Sequence, residues 1–194
     1  GGWRLSTEKK KEILLNNIYG VDIDTQAVEV AKLNLLLKVL EEENSPDLGM
    51  QRALPDLGNN IKCGNSLIES DFYKDHPDMI CDMEQSRKIN AFDWDKQFPE
   101  IIKWKNSRHS KLDLESPSRE LKKGYGFDAV IGNPPYIFAR DKSFKSYEKK
   151  YYYSKYSLVD YQINTIAMFV EIAHQVTGER KYLGYVKAPS LEQT

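Results

Sequence analysis

The stretch "FDAVIGNPPYIF", residues Phe127–Phe138, joins a short apolar run to an asparagine, two prolines and an aromatic residue. Phe127 to Ile131 has the composition of a short buried strand. Neither Pro134 nor Pro135 has an N–H with which to continue a sheet ladder, so the strand must stop at Asn133. Each proline also confines the residue before it to extended backbone. The result is a stiff ledge, Asn133–Pro134–Pro135, whose carbonyls have no ladder partner, with Tyr136 directly after it.

Outward from the ledge, other strands alternate with helices. Residues 8–17 suit a short helix, and "IYGVDID", Ile18–Asp24, is an apolar strand ending in acidic residues. Asp24 or Thr25 can cap the helix that follows, where Ala27, Val28, Ala31, Leu35 and Val39 recur at helical spacing until Asn44, Ser45 and Pro46. A strand at Ile61–Cys63 runs into "GNSL". From about residue 71 to 125 the chain turns polar, which suggests an insertion with short helices inside one domain. Beyond the ledge, Ile166, Phe169, Val170 and Ala173 form a helical stripe ended by Gly178, and Tyr182–Val186 is a last strand. This alternation predicts an α/β fold with a mostly parallel sheet. Ligands of such sheets bind beyond the carboxyl ends of the strands, where Asp22, Asn65 and Asn133 are all expected.

The totals narrow the class. A chain of 194 residues, 40% hydrophobic and 29% charged, can bury one real core. No apolar run approaches the roughly 18 residues of a spanning helix, and the start has no signal-peptide core. Cys63 and Cys81 form no framework or CxxC pair, as expected of free thiols in a reducing cytosol. His76, His109 and His174 are scattered singly, without metal-ligand spacing. The net charge of −1 makes no global case for a polyanion partner. Locally, "ARDKSFKSYEKKYYYSKY", residues 139–156, sets Arg140, Lys142, Lys145, Lys149, Lys150 and Lys155 against Asp141 and Glu148. Basic residues interleaved with tyrosines suit a phosphate-contacting, base-stacking loop, and equally a solvated surface helix.

Single residues allow more than one reading. Asp22, at a strand end, suits acceptance of ribose hydroxyls, or with Asp24 only caps the following helix. Asn65 has the acceptor and donor needed to read an adenine edge, or is a turn former. The ledge is far more specific, since a chance [ND]-P-P-aromatic match in a chain this long has odds on the order of 0.5%.

"IGNPPYIF" resembles the catalytic motif of S-adenosylmethionine-dependent methyltransferases that act on amino groups, above all the adenine-N6 DNA methyltransferases. "NIYGVDIDTQAVEVAKLNL", "IKCGNSL" and "INAFDWDKQFPEI" resemble the large gamma-type subgroup found in fused restriction-modification and phage-defence enzymes. The resemblance implies a Rossmann-like methyltransferase fold and double-stranded DNA as partner. It also implies a prokaryotic cytoplasmic setting, no membrane, and a target-recognition domain in the parent protein, with or without a fused nuclease. It gives Asn133, Pro134, Pro135 and Tyr136 the catalytic role. Asp22 would hold the cofactor ribose, Ile23 would pack on its adenine and Asn65 would bond the adenine edge. Asn164 and Phe169 would line the pocket between cofactor and target, although core packing is the plainer role for Phe169. Lys142, Lys145, Lys149 and Lys150 would meet the phosphates.

The family's glycine-rich loop is expected upstream of Ile18, where the sequence has only Gly1–Gly2 and no strand. The chain is thus expected to be a partial catalytic domain, lacking the glycine-loop strand, the C-terminal strands and the target-recognition domain, and to transfer no methyl group in isolation. In the implied fold the strands ending at Asp22 and Asn133 are not neighbours, because the glycine-loop strand lies between them. Two alternatives share the motif: a protein-glutamine N5-methyltransferase, whose target nitrogen is also planar and poorly nucleophilic, and a non-catalytic methyltransferase-derived segment.

Overall fold

The computed structural model describes residues 5–40, 54–104, 122–135, 144–159 and 163–185; for residues 179–181 only the backbone is described. They fall into two compact units, residues 1–93 and 94–194. The boundary lies within the polar stretch of residues 71–125.

Unit 1 contains a β-α-β turn. Helix α1 (Thr7–Asn17) is capped by Ser6, whose hydroxyl accepts the Lys9 N–H at 3.3 Å. Strand β1 (Gly20–Asp22) follows, then α2 (Thr25–Leu40) and β2 (Ile61–Cys63). β1 and β2 pair in parallel, Gly20 opposite Ile61 and Asp22 opposite Cys63. Asp24 caps α2, since its carboxylate accepts the Gln26 N–H at 2.8 Å. The predicted stripe packs as its spacing requires: Val28 and Val39 are buried with Leu14, Leu57 and Ile61, and Ala31 and Leu35 pack against them. The predicted end of this helix, at residues 44–46, lies outside the described residues. Buried Asn60 ties α1 to β1: its side-chain amide donates to the carbonyls of Leu15 and Ile18 at 2.8 and 2.9 Å, and its backbone carbonyl accepts the Gly20 N–H at 2.9 Å. The chain then runs through a 3₁₀ turn (Ser70–Lys74) and two short helices, α3 (Asp78–Cys81) and α4 (Met83–Ile89). Asp82 caps α4, and its hydrogen bonds to Gln85 and Glu84, with Lys88 nearby, hold its carboxyl below the usual range.

Unit 2 begins with α5 (Trp94–Gln97), where Trp94, Phe98 and Phe127 form an aromatic cluster with ring centroids 5.8–6.2 Å apart. Strand β3 (Phe127–Gly132) leads into the ledge; α6 (Ser146–Lys155), α7 (Thr165–Val176) and β4 (Thr177–Tyr185) follow. β3 and β4 are parallel, with an irregularity after the Phe127–Thr177 pair. Both strand pairs are therefore parallel, as expected of an α/β chain, and β1 and β3 belong to separate two-stranded sheets.

Two expectations need correction. β3 is not buried: Ile131 is 88% exposed, because among the described residues β4 is its only strand neighbour. The core face of α7 is Thr165, Met168, Ile172, Ala173 and Val176, while Ile166, Phe169 and Val170 are only partly covered. Ile166–Val170 is an unbroken apolar run, so spacing alone does not select a face there. Of the two readings of the basic, tyrosine-rich segment, the helical one holds over Ser146–Lys155, anchored by buried Tyr152 and the adjoining Tyr156. Among the described residues no helix is long and apolar enough to cross a membrane.

Candidate functional site

In unit 1 the register of β1 and β2 brings Asp22 and Asn65 to the same carboxyl end. Asp22 is exposed, and one carboxylate oxygen accepts the Asp24 N–H at 2.8 Å, turning the chain into α2. Asp24, not Asp22, is the helix cap, so the local turn leaves Asp22 acceptor capacity to spare. Ile23, beside it, is 56% exposed, an apolar surface next to an acidic acceptor.

Asn65 is held by the segment that follows α4. Its backbone N–H donates to the Asn90 carbonyl at 2.6 Å, and it forms an isolated parallel bridge with Ala91. Gly64 lies against the ring of Phe92, so that a Cβ there would come within 2.5 Å of Cδ2. Ser70 N–H donates to the Asp93 carboxylate at 2.8 Å. Residues 64–70 and 90–93 are thus joined at Gly64, Asn65 and Ser70. Asn90 can close α4 in this way because it adopts the left-handed conformation, φ 48°. The Asn65 side-chain carbonyl accepts the Leu67 N–H at 3.1 Å, so the turn-forming role is real. One lone pair of that carbonyl and the side-chain NH₂ remain for a ligand.

In unit 2, β3 ends at Gly132, and Asn133, Pro134 and Pro135 follow outside the ladder, the first and last exposed and Pro134 buried. Tyr136 and Lys142 lie outside the described residues. Two contacts absent from the sequence reading tie the ledge to α7. The Thr165 hydroxyl donates to the Pro135 carbonyl, and the Tyr185 hydroxyl donates to the Phe169 carbonyl while its ring lies against Gly132. Burial pushes the Tyr185 hydroxyl up to about 12. Asn164 is the N-cap of α7, its side-chain oxygen accepting the Ile166 N–H at 2.9 Å. Phe169 is partly covered, and its backbone carbonyl carries the Tyr185 bond.

Lys145 occupies the N-cap position of α6, its backbone N–H donating to the Glu148 carboxylate at 2.7 Å, and its ammonium lies over the Tyr147 ring at 5.5 Å; a hydrogen bond to Tyr147 raises its pKa. Lys150 and Tyr153 are exposed and Lys149 is partly covered. Glu171 of α7 accepts the N–H groups of Ser157 and Leu158 at 3.0 and 2.9 Å, fixing the exit of α6 to the helix that holds the ledge. No local signal marks Thr165, Glu171 or Tyr185, whose partners are remote in sequence. A depression lined by residues such as Ile13, Leu14, Leu35 and Val39 of α1 and α2 includes none of the site residues named above.

Comparison with known proteins agrees with these motifs. Over 186 residues, 95% of the chain, it is 31% identical to the type II restriction enzyme and methyltransferase RM.Eco57I of Escherichia coli. Over 62 residues, 31% of the chain, it is 47% identical to the putative type II restriction enzyme and methyltransferase RM.MjaORFECS2P of Methanocaldococcus jannaschii. The chain spans only 15% and 5% of the lengths of these relatives. No solved structure matches it. The family described as Eco57I restriction-modification methylase matches residues 16–190, from the end of α1 to beyond β4, and the chain belongs to that family.

Proposed function

We propose that this chain is the partial catalytic domain, with a Rossmann-like fold, of a site-specific DNA methyltransferase that transfers a methyl group from S-adenosylmethionine to N6 of a flipped adenine. The observation that carries the reading is the Asn133–Pro135 ledge, outside any ladder at the carboxyl end of β3 and fastened to α7, in a chain of this family. The relatives' names, restriction enzyme and methyltransferase, favour DNA over a protein glutamine and are consistent with a fused nuclease in the parent.

The adenine amine is a poor nucleophile because its lone pair is delocalised into the ring. With the Asn133 side-chain oxygen and the Pro134 carbonyl each accepting one N6 hydrogen, the amine is drawn toward tetrahedral geometry and its lone pair is freed. Catalysis by these residues is positioning and electrostatics. No general base is required, because the proton leaves after the nitrogen has attacked. The target must leave the base stack, and Tyr136 is proposed to stack on it, with Asn164 and Phe169 lining the pocket.

The unit 1 residues fit the adenosine part of the cofactor. Exposed Asp22 accepts ribose hydroxyls, Ile23 offers an apolar face, and Asn65 retains an amide donor for the adenine edge. Bound there, S-adenosylmethionine supplies an electrophilic sulfonium methyl. Lys142, Lys145, Lys149 and Lys150 are assigned to the DNA phosphates.

The test is methylation of adenine-containing duplex by the intact parent protein, with Asn133→Ala beside the wild type. The variant is expected to lose at least ~100-fold in rate, by analogy with removal of one oxyanion-hole donor, with cofactor affinity nearly unchanged. Activity within a few-fold of wild type would remove Asn133 from the mechanism. Transfer to a release-factor glutamine peptide and not to DNA would reassign the substrate.

A further inference from the structure

We propose that Thr165 and Tyr185 are positioning residues that grip the two ends of the Asn133–Pro135 ledge and hold its acceptors in one direction for the target amine. The inference rests on the ledge being the amine-binding element.

A ledge that leaves the ladder at Gly132 has no strand neighbour to hold it, yet catalysis by positioning tolerates little play. Its far end is held by a hydrogen bond from the Thr165 hydroxyl to the Pro135 carbonyl. Thr165 is 2% exposed and opens a helix whose Met168, Ile172 and Val176 are in the core, so the donor sits on a fixed support. The near end is held differently. Tyr185 is paired with Gly132 across β3 and β4, its ring lies against the glycine, and its hydroxyl donates to the Phe169 carbonyl. Both ends of the ledge are therefore referred to one helix, α7. Valine would fill the place of Thr165 but cannot donate; serine can.

The experiment compares the wild-type parent protein with Thr165→Val, Thr165→Ser and Tyr185→Phe, by steady-state methylation of adenine-containing duplex and by hydrogen exchange in the peptide spanning residues 129–135, read at the Gly132 and Asn133 amides because Pro134 and Pro135 have none. For Thr165→Val we expect kcat to fall about 10- to 100-fold, the size of effect that a small misplacement produces. The KM values for DNA and cofactor should stay within about 2-fold, and exchange in the peptide should quicken by a similar factor to the fall in kcat. Thr165→Ser should restore both, and Tyr185→Phe, which removes only the near-end bond, should shift both in the same direction. The proposal is overturned if Thr165→Val leaves kcat or exchange unchanged, if the loss appears in KM alone, or if serine fails to rescue. Absence of DNA methylation by the wild type would instead overturn the functional reading, and the exchange arm would then decide the clamp alone.

Discussion

Gly132 and Tyr185 face each other in register across β3 and β4, with the tyrosine ring so close to the glycine that a Cβ there would come within 2.7 Å of Cε1. The ring cannot swing aside without giving up the hydrogen bond to the Phe169 carbonyl. Gly132→Ala should therefore destabilise unit 2 by about 1–3 kcal/mol, the usual cost of overpacking. Chemical denaturation of the purified chain measures this. Combination with Tyr185→Leu should recover part of the loss, because the two changes act on one contact; strict additivity would show that the ring is not the obstacle.

What was legible in the sequence follows from how local each cause is. The end of β3 was readable because a missing N–H at Pro134 and Pro135 acts on the spot. α2 was readable because its buried residues repeat at helical spacing. β2 was readable because Ile61 and Cys63 alternate with Lys62 and the strand ends at Gly64–Asn65. The grip on the ledge was not readable, since Thr165 and Pro135 are 30 residues apart and neither has a local signature for the other. For the same reason "INAFD" gave no hint that Phe92 covers Gly64 or that Asn90 accepts the Asn65 N–H. Local chemistry also obscured as much as it revealed: the Asn65 oxygen serves the turn whether or not a ligand uses the rest of the side chain.

Asp22 and Asp24 stand two residues apart and separate cleanly by experiment. Asp22→Ala in the parent protein should weaken S-adenosylmethionine binding by about 1.5–3 kcal/mol, the loss of hydrogen bonds to a charged acceptor. Asp24→Ala removes the cap on Gln26 N–H and should instead lower stability by about 1 kcal/mol, with cofactor affinity little changed. Titration calorimetry and thermal melting read the two effects. Unchanged affinity in Asp22→Ala would leave Asp22 with only its turn to Asp24.

Tyr185 predicts an alkaline limb of stability. Burial raises its pKa from the ordinary 10.0 to about 12, so the folded chain retains a proton that the unfolded chain releases first. This contribution is fully present below pH 10 and is lost as pH rises toward 12. Discounted for solvent screening of a half-buried ring, it amounts to about 1 kcal/mol. Urea denaturation at several pH values between 8 and about 11.5 should show wild type losing that much more than Tyr185→Phe. Parallel curves would mean that the hydroxyl titrates as if exposed.

Helix α6 presents the last test, because its basic residues have two readings that differ in salt dependence. Lys150 is exposed, and Lys149 is partly covered on the same short helix. Buried Tyr152 and the Glu171 bonds to Ser157 and Leu158 fix the helix in place, so it is presented as a rigid surface. Each phosphate neutralised by a lysine contributes about 0.9 to the slope of log affinity against log salt. The double substitution Lys149→Ala/Lys150→Ala in the parent protein should therefore flatten that slope by nearly ~2 and weaken cognate and unrelated duplexes about equally. Fluorescence anisotropy across a salt series measures it. An unchanged slope would make these lysines an ordinary solvated helix face, and a loss confined to the cognate duplex would place them at base edges instead of phosphates.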